Sequence, residues 1–277
     1  MTKLPVTKKS FTTTWTQLPS IARMAIGLLG SLLVLVIIWQ SVLIPLEWPV
    51  ITAVAGYFWQ SIWTLDTYLS VLMTGIRALL SMVIGFSLAV ILAVLTGRTI
   101  WGWCAFFFLL LALQKIPAIA MVHVLISSKL GIGFVMTIVL ASTVVMTFTW
   151  LVLHHRAQTL DPREVFALRV VGFRGWQLGL YGLFPHMGAA IGGAARLAMS
   201  IALVMVILGE WQGVWADGSL LQYGIGVSIS RYYDAIDSQA KVLAACLWLG
   251  ILGVLMDYLV QGSLSVSRLL TGVDLKR

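Results

Sequence analysis

Apolar positions along this chain fall in long uninterrupted blocks, at about 24–46, 67–95, 100–126, 131–154, 185–209 and 240–263. Each block reaches the roughly 20 residues a helix needs to cross a hydrocarbon core about 30 Å thick, and none shows the period-two alternation of a barrel strand. The pattern predicts an all-α, polytopic transmembrane domain of about six spans. The polar stretches between the blocks divide the chain into a tail at 1–23, a first span with an aromatic segment at 24–66, a helical core at 67–264, and a second tail at 265–277.

Composition agrees with this reading. Hydrophobic residues make up 60% of the 277 residues and charged residues only 10%, with a mean hydropathy of +0.99. That leaves too little polar surface for a water-soluble globule. The first apolar block is too long for a signal-peptide core, which predicts a retained span. Cys104 and Cys246 both lie within apolar runs, so they read as small packing residues and give neither a disulfide framework nor a metal-ligand set.

Basic residues set an orientation. With the N-terminus inside, the cytoplasmic segments hold Lys3, Lys8, Lys9, Arg23, Arg98, Arg156, Arg163, Arg169, Arg174, Arg268, Lys276 and Arg277, and the outer segments only Lys129, Arg231 and Lys241. This asymmetry satisfies the positive-inside rule and places both termini in the cytoplasm. The net charge of +8 is then a topological signal plus attraction to anionic lipid heads, with no nucleic acid required.

Between the first two blocks runs EWPVITAVAGYFWQSIWTLDTY, whose Trp48, Tyr57, Phe58, Trp59, Trp63 and Tyr68 predict an amphipathic piece at the outer interface. A lipid-facing anchor explains it, and contact with an external binding protein is the alternative. At the inner end of the fourth block, His154 and His155 sit beside Arg156 and read as interfacial anchors.

The polar segment at 161–185, DPREVFALRVVGFRGWQLGLYGLFP, differs from all else in the chain. Asp161 followed by Pro162 predicts a helix start, because an acidic cap accepts early backbone amides and proline fits the first turn. Gly172 predicts a turn between two short helices. Apolar Val165, Phe166, Leu168, Val171, Trp176 and Leu180 interleave with Arg163, Arg169, Arg174 and Gln177. Such a ridge needs cover, either from the chain's own spans or from a soluble partner.

The segment resembles the cytoplasmic coupling loop of ABC importer permeases, whose pattern runs Asp-Pro, Glu-Ala-Ala, Gly and then Leu-Pro. The corresponding residues here are Asp161, Pro162, Phe166, Ala167, Leu168, Gly172, Phe184 and Pro185, followed by Arg196 and Glu210 at distances typical of the nitrate, sulfonate, taurine and bicarbonate branch. Echoes from 67 onward include Arg77 with Gly85, Ile116-Pro117, Gly131-Ile132-Gly133, Leu220 and Asp257. The loop's signature glutamate is replaced by Phe166, with Glu164 two positions too early, and its second alanine by Leu168. His123 stands where a proline is common, and SSKL at 127–130 replaces the usual apolar lead.

The resemblance implies a type I ABC importer permease (MetI-like) fold in the bacterial inner membrane. It implies two ABC ATPase subunits below, a second permease copy or a sister permease alongside, and a periplasmic or lipid-anchored solute-binding protein above. ATP and Mg would be held by the partner ATPase, since this chain carries no glycine-rich loop ending in Gly-Lys-Ser or Gly-Lys-Thr. Coupling would fall to 161–181, with Asp161, Pro162, Glu164, Phe166, Ala167, Gly172, Trp176 and Pro185 as its key positions.

Charges inside the spans mark the expected path. Arg196 lies eleven residues after Pro185, about 16 Å along a helix and so near mid-membrane. It sits in the small-residue run GAAIGGAARLAMS, which gives room for a passage or for tight packing with Arg196 tied to a carbonyl or to Asp257. Lys115, ahead of Pro117, and Arg77, with reach to snorkel, join Arg196 in an expected positive lining for a small anion, with Glu210 also on the path. Gly131, Gly133 and Gly224 are the expected gate positions. No catalytic set and no metal site is recognisable, which speaks against a membrane-embedded enzyme.

Overall fold

A computed structural model describes residues 26, 29–31, 33–34, 36–43, 49–96, 100–116, 120–121, 124, 133–173, 176–212, 222–233 and 238–271. Among them the secondary structure is helical throughout: α1 (Ile51–Ile62), α2 (Leu65–Thr96), α3 (Ile100–Lys115), α4 (Gly133–Gln158), α5 (Pro162–Val170), α6 (Phe184–Gln212), α7 (Ile225–Tyr233) and α8 (Ser238–Thr271). A helical turn at Trp176–Leu178 and a π-helical turn at Gly179–Leu183 lead into α6. Four stretches are long and apolar enough to cross a membrane: Leu65–Thr96, Gly133–Gln158, Ala190–Gln212 and Gln239–Leu264. The expected first span is represented by a shorter apolar helix at Leu29–Ser41 and the expected third by α3, whose apolar part is Phe106–Lys115; most of the remainder of that third span lies outside the described residues.

Helix α2 shows why these residues form this fold. Its buried face carries Ser70, Thr74, Gly75, Arg77, Ala78, Ser81, Gly85, Ala89, Ala93 and Thr96. Its exposed face carries Leu72, Ile76, Leu79, Val83, Leu88, Ile91 and Leu95. Small and polar side chains inside with branched apolar ones outside is the reverse of a soluble helix and suits lipid. The small face lets helices approach: a Cβ on Gly85 would come 2.5 Å from the Ser142 carbonyl oxygen of α4.

The chain divides into two compact units, Met1–Ala55 and Gly56–Arg277. In the first, a π-helical stretch covers Trp39–Leu43 and the Trp39 indole donates to the Pro49 carbonyl at 3.0 Å. In the second, α2, α4 and α6 make the most extensive contacts with one another, and α8 packs on α6, α7 and α2. The residues after Ala55 belong to this second unit, where Trp248 of α8 donates to Ser61 at 2.8 Å and its ring lies tilted against Phe58 and edge-on to Tyr68.

Among the described residues, two clusters make up most of the core. One joins Ala89, Leu110, Trp150, Leu153 and Ala157 to Leu160, Val165, Leu178 and Met187, so it underlies the 161–181 segment. The other joins Ala78, Ala141, Met199 and Val206 to Ile225, Leu252 and Met256, toward the opposite end. His154 is a correction to the sequence reading: it is buried, with its ring hydrogen-bonded to Thr96 at 3.1 Å and Gln158 at 3.0 Å and placed 5.0 Å from the Trp150 ring. Its polar atoms are satisfied inside the bundle and leave it no interfacial role, whereas His155 and Arg156 are exposed.

Candidate functional site

The 161–181 segment folds from local chemistry. The Asp161 carboxylate accepts from the Arg163 amide at 2.8 Å with Pro162 in the first turn, which caps α5. Gly172 has φ +101°, in the region that favours glycine. The Phe173 amide donates to the Leu168 carbonyl at 3.1 Å and the Gly172 amide to that of Arg169 at 3.0 Å, the paired bonds of a Schellman end. Val165 and Leu178 are buried in the core cluster, and a Cβ on Gly182 would meet Leu168 at 2.6 Å. The segment is therefore seated on its own helices.

Its outer side is left open. Phe166 is 70% exposed, Val170 70% and Val171 74%. Phe166 and Val170 are four apart on α5 and share a face, flanked by exposed Glu164, Arg163 and Arg169. Ala167 is exposed as well, Trp176 opens the helical turn, and Pro185 sits exposed in the first turn of α6. His186 approaches Thr159 at 3.4 Å, tying the start of α6 to the end of α4.

At the other end of the bundle the structure brings together three residues expected separately. Arg77 and Glu210, both fully buried, form an ion pair across α2 and α6. The Glu210 carboxylate also accepts from the Thr74 hydroxyl, at 2.9 and 2.8 Å to its two oxygens, and from the Gly226 amide at 3.0 Å. Arg77 donates to the Tyr223 carbonyl at 2.7 Å and lies 5.7 Å from the centre of the Phe134 ring. The Ile225 amide donates to Thr74 at 2.9 Å. Gly224 sits against the pair, and a Cβ there would fall 2.6 Å from Glu210 Cδ and 2.7 Å from Arg77 Nη1. The knot fastens 223–226 to α2 and α6, and Arg77, being buried among these acceptors, does not snorkel.

Arg196 has a different setting. Its Nε and Nη2 each donate to Asp257 at 2.8 Å, a bidentate pair between α6 and α8. Gln261 adds a third bond to Asp257 at 2.7 Å. The side chains are 52% and 37% exposed in the single chain. Fourteen residues of α6 separate Arg196 from Glu210, about 21 Å along the helix. Lys115 ends α3 and lines a cavity of about 220 Å³ with Gln114, Thr143, Phe148 and Met205. The three cations thus occupy three places, and each arginine faces a carboxylate, so the two arginine sites add no net charge.

Gly133 is buried at the start of α4, where its carbonyl accepts from Thr137 at 2.6 Å; Gly131 lies outside the described residues. Sequence reasoning missed Thr74 and the 223–226 backbone as partners of the ion pair, since nothing local to Thr74 signals a contact 136 positions away. Asp257 was legible as a candidate partner because it is the one carboxylate inside the last apolar block. Among the described residues no three His, Cys, Asp or Glu side chains come together as a metal site. The chain matches no protein-family model and no curated protein.

Proposed function

We propose that the chain is the transmembrane permease subunit of an ATP-driven ABC importer, forming the path of a small solute and coupling to separate ATPase subunits through 161–181. The solute is a small anion such as nitrate, bicarbonate, taurine or another sulfonate. The subunit sits in the bacterial inner membrane with both termini cytoplasmic, paired with a second copy or a sister permease and served by a periplasmic or lipid-anchored binding protein.

The observation that carries the reading is the open ridge of Phe166, Val170 and Val171 on a helix capped at both ends and anchored by Val165. It fits the cleft of a soluble subunit, because burying one aromatic side chain is worth about 2–3 kcal/mol. Anchoring at Val165 and Leu178, beside Leu153, Ala157 and Met187, gives a stiff route from that ridge into α4 and α6. A second support is the Arg196–Asp257 pair. An exposed ion pair within a spanning helix is costly against lipid and calls for a polar path or a partner subunit to cover it. An anion using Arg196 on that path competes with Asp257 for the guanidinium.

A second reading, a scaffold or regulatory membrane subunit of a heteromeric ABC complex that transports nothing itself, is favoured by one feature: Phe166 stands where the loop's glutamate is expected. ATPase measurement on the complex purified through this chain separates the two. The importer reading expects a cognate binding protein and one solute from an anion panel to raise hydrolysis several-fold, and Arg196→Glu to change which solutes do so. A complex that hydrolyses ATP without response to any solute, and whose uptake is indifferent to Arg196, would support the scaffold.

A further inference from the structure

Helix α6 does not meet its surroundings as α2 does. Where α2 turns branched apolar side chains outward, one exposed face of α6 carries Gly193, Arg196, Ser200 and Val204. Beside it, α8 exposes Gly250 and Val254 on the face that carries Asp257. The two helices run antiparallel, with Arg196 against Asp257 and Leu203 Cδ2 3.5 Å from where a Cβ on Gly253 would stand. Over Gly193 and Gly250 a Cβ would meet nothing within 4 Å.

Small residues alone say only that another backbone has room to approach. The ion pair says more. Arg196 lies six residues inside Ala190, where the apolar stretch of α6 begins, and Asp257 seven residues inside Leu264, where that of α8 ends. Both are about 9–11 Å within the apolar slab. A lone arginine there would draw its head toward water, but Nε and Nη2 are both bound to Asp257, and Gln261 holds the same carboxylate, so the charges stay at depth. Because the pair bridges two side-by-side helices at one level, its dipole lies across the helix axes, in the plane of the membrane.

That direction selects the occupant. Lipid tails bring no counter-dipole, and the apolar block from Met24 to Trp39 holds no charged residue. A second copy of the chain inserts the same way round, and a two-fold axis normal to the membrane turns its dipole by half a revolution. Arg196 of each copy then faces Asp257 of the other.

We propose that the α6–α8 face around Arg196 and Asp257 is where a second copy of this chain seats, the two ion pairs lying antiparallel across a two-fold axis. The proposal deepens the permease reading by choosing a second copy over a sister permease, and rests on that reading only for the path between the copies. Solute-stimulated ATP hydrolysis by a complex whose copies do not pair would leave the permease standing and overturn the proposal. Pairing without stimulated hydrolysis would do the reverse.

Exchanging the charges makes the test, because Arg196→Asp combined with Asp257→Arg keeps an ion pair within each chain and reverses its dipole. Energy transfer between two fluorescent tags reads pairing of the full chain in phosphatidylcholine liposomes. Unaltered copies are expected to pair with one another, and exchanged copies with one another. Mixed pairs are expected to be at least about tenfold weaker, the worth of one charge-assisted hydrogen bond. Mixed pairs as strong as like pairs, or no pairing of unaltered copies, would overturn the proposal. Where the exchanged chain does not fold, disulfide capture decides, in copies whose Cys104 and Cys246 are changed to Ala. Ser200→Cys in one copy and Val254→Cys in another are expected to link two chains on oxidation, and Leu88→Cys, on the lipid face of α2, to link to neither. Absence of that link, or an equal one from Leu88→Cys, counts against the proposal. So does a link formed within one chain between Val254→Cys and Ile37→Cys, which would give the face to the first apolar block.

Discussion

Arg77 and Glu210 are the residues on which most else depends, because two full charges with no exposed side-chain surface survive only while each satisfies the other. Glu210→Ala leaves an arginine buried against Tyr223 and Phe134, and a loss of about 3–5 kcal/mol is expected, read as a lowered melting temperature in detergent. Arg77→Met combined with Glu210→Leu recovers much of that loss and leaves the smaller cost of the orphaned Thr74 hydroxyl and Gly226 amide. A double variant no better than Glu210→Ala would show that the pair is not the source of the stability. Gly224→Ala forces a methyl group against both side chains. A cost of about 1–3 kcal/mol is expected from that overpacking, with increased amide exchange at 223–226. Little of this was legible in the sequence. Arg77, Glu210 and Gly224 stood out as a charge in an apolar run, a charge at a span's end and a glycine in a loop, but pairing across 133 positions is a tertiary fact that local spacing does not encode.

At the scale of elements, the 161–181 segment was the most legible part, since its boundaries rest on local chemistry. Asp161, Pro162 and Gly172 each bring a backbone preference that acts within a few residues, and the helix begins and ends where they put it. Asp161→Ala is expected to cost about 1 kcal/mol through loss of the cap, and Gly172→Val about 1–2 kcal/mol through forced left-handed backbone. Both should speed amide exchange in 162–173 while leaving α2 and α4 protected. The dual character of the segment was less legible. Interleaved apolar residues allowed either a loop folded back or a docking piece, and only placement shows that Val165 and Leu178 take the inner role while Phe166, Val170 and Val171 take the outer one. A cavity near Lys241 escaped altogether. Its lining is gathered from α1, α2, α7 and α8, and in sequence the Tyr57 region reads as an interfacial anchor and Lys241 as a topological charge.

For the molecule as a whole, hydropathy was enough to give helices throughout the described residues, four of them long and apolar enough to cross a membrane, because 20-residue blocks leave few alternatives in a bilayer. It could not give the inside-out arrangement in which Ser70, Thr74 and Ser81 line the interior of α2, nor the way α6 carries one ion pair near its middle and another near its end. In the proposed importer these two sites divide the work: the buried pair holds the far segment to α2 and α6, and the exposed pair faces the path or the partner subunit. In the proposed importer the ridge around Phe166 seats in an ATPase. The most direct measurement of that seating is a photocrosslinking amino acid placed at Phe166 in cells, with adducts identified by mass. A principal adduct to a chain carrying a Gly-Lys-Ser or Gly-Lys-Thr phosphate loop is expected, abolished when Val170 is changed to Asp. Adducts confined to lipid or to this chain's own helices would contradict it.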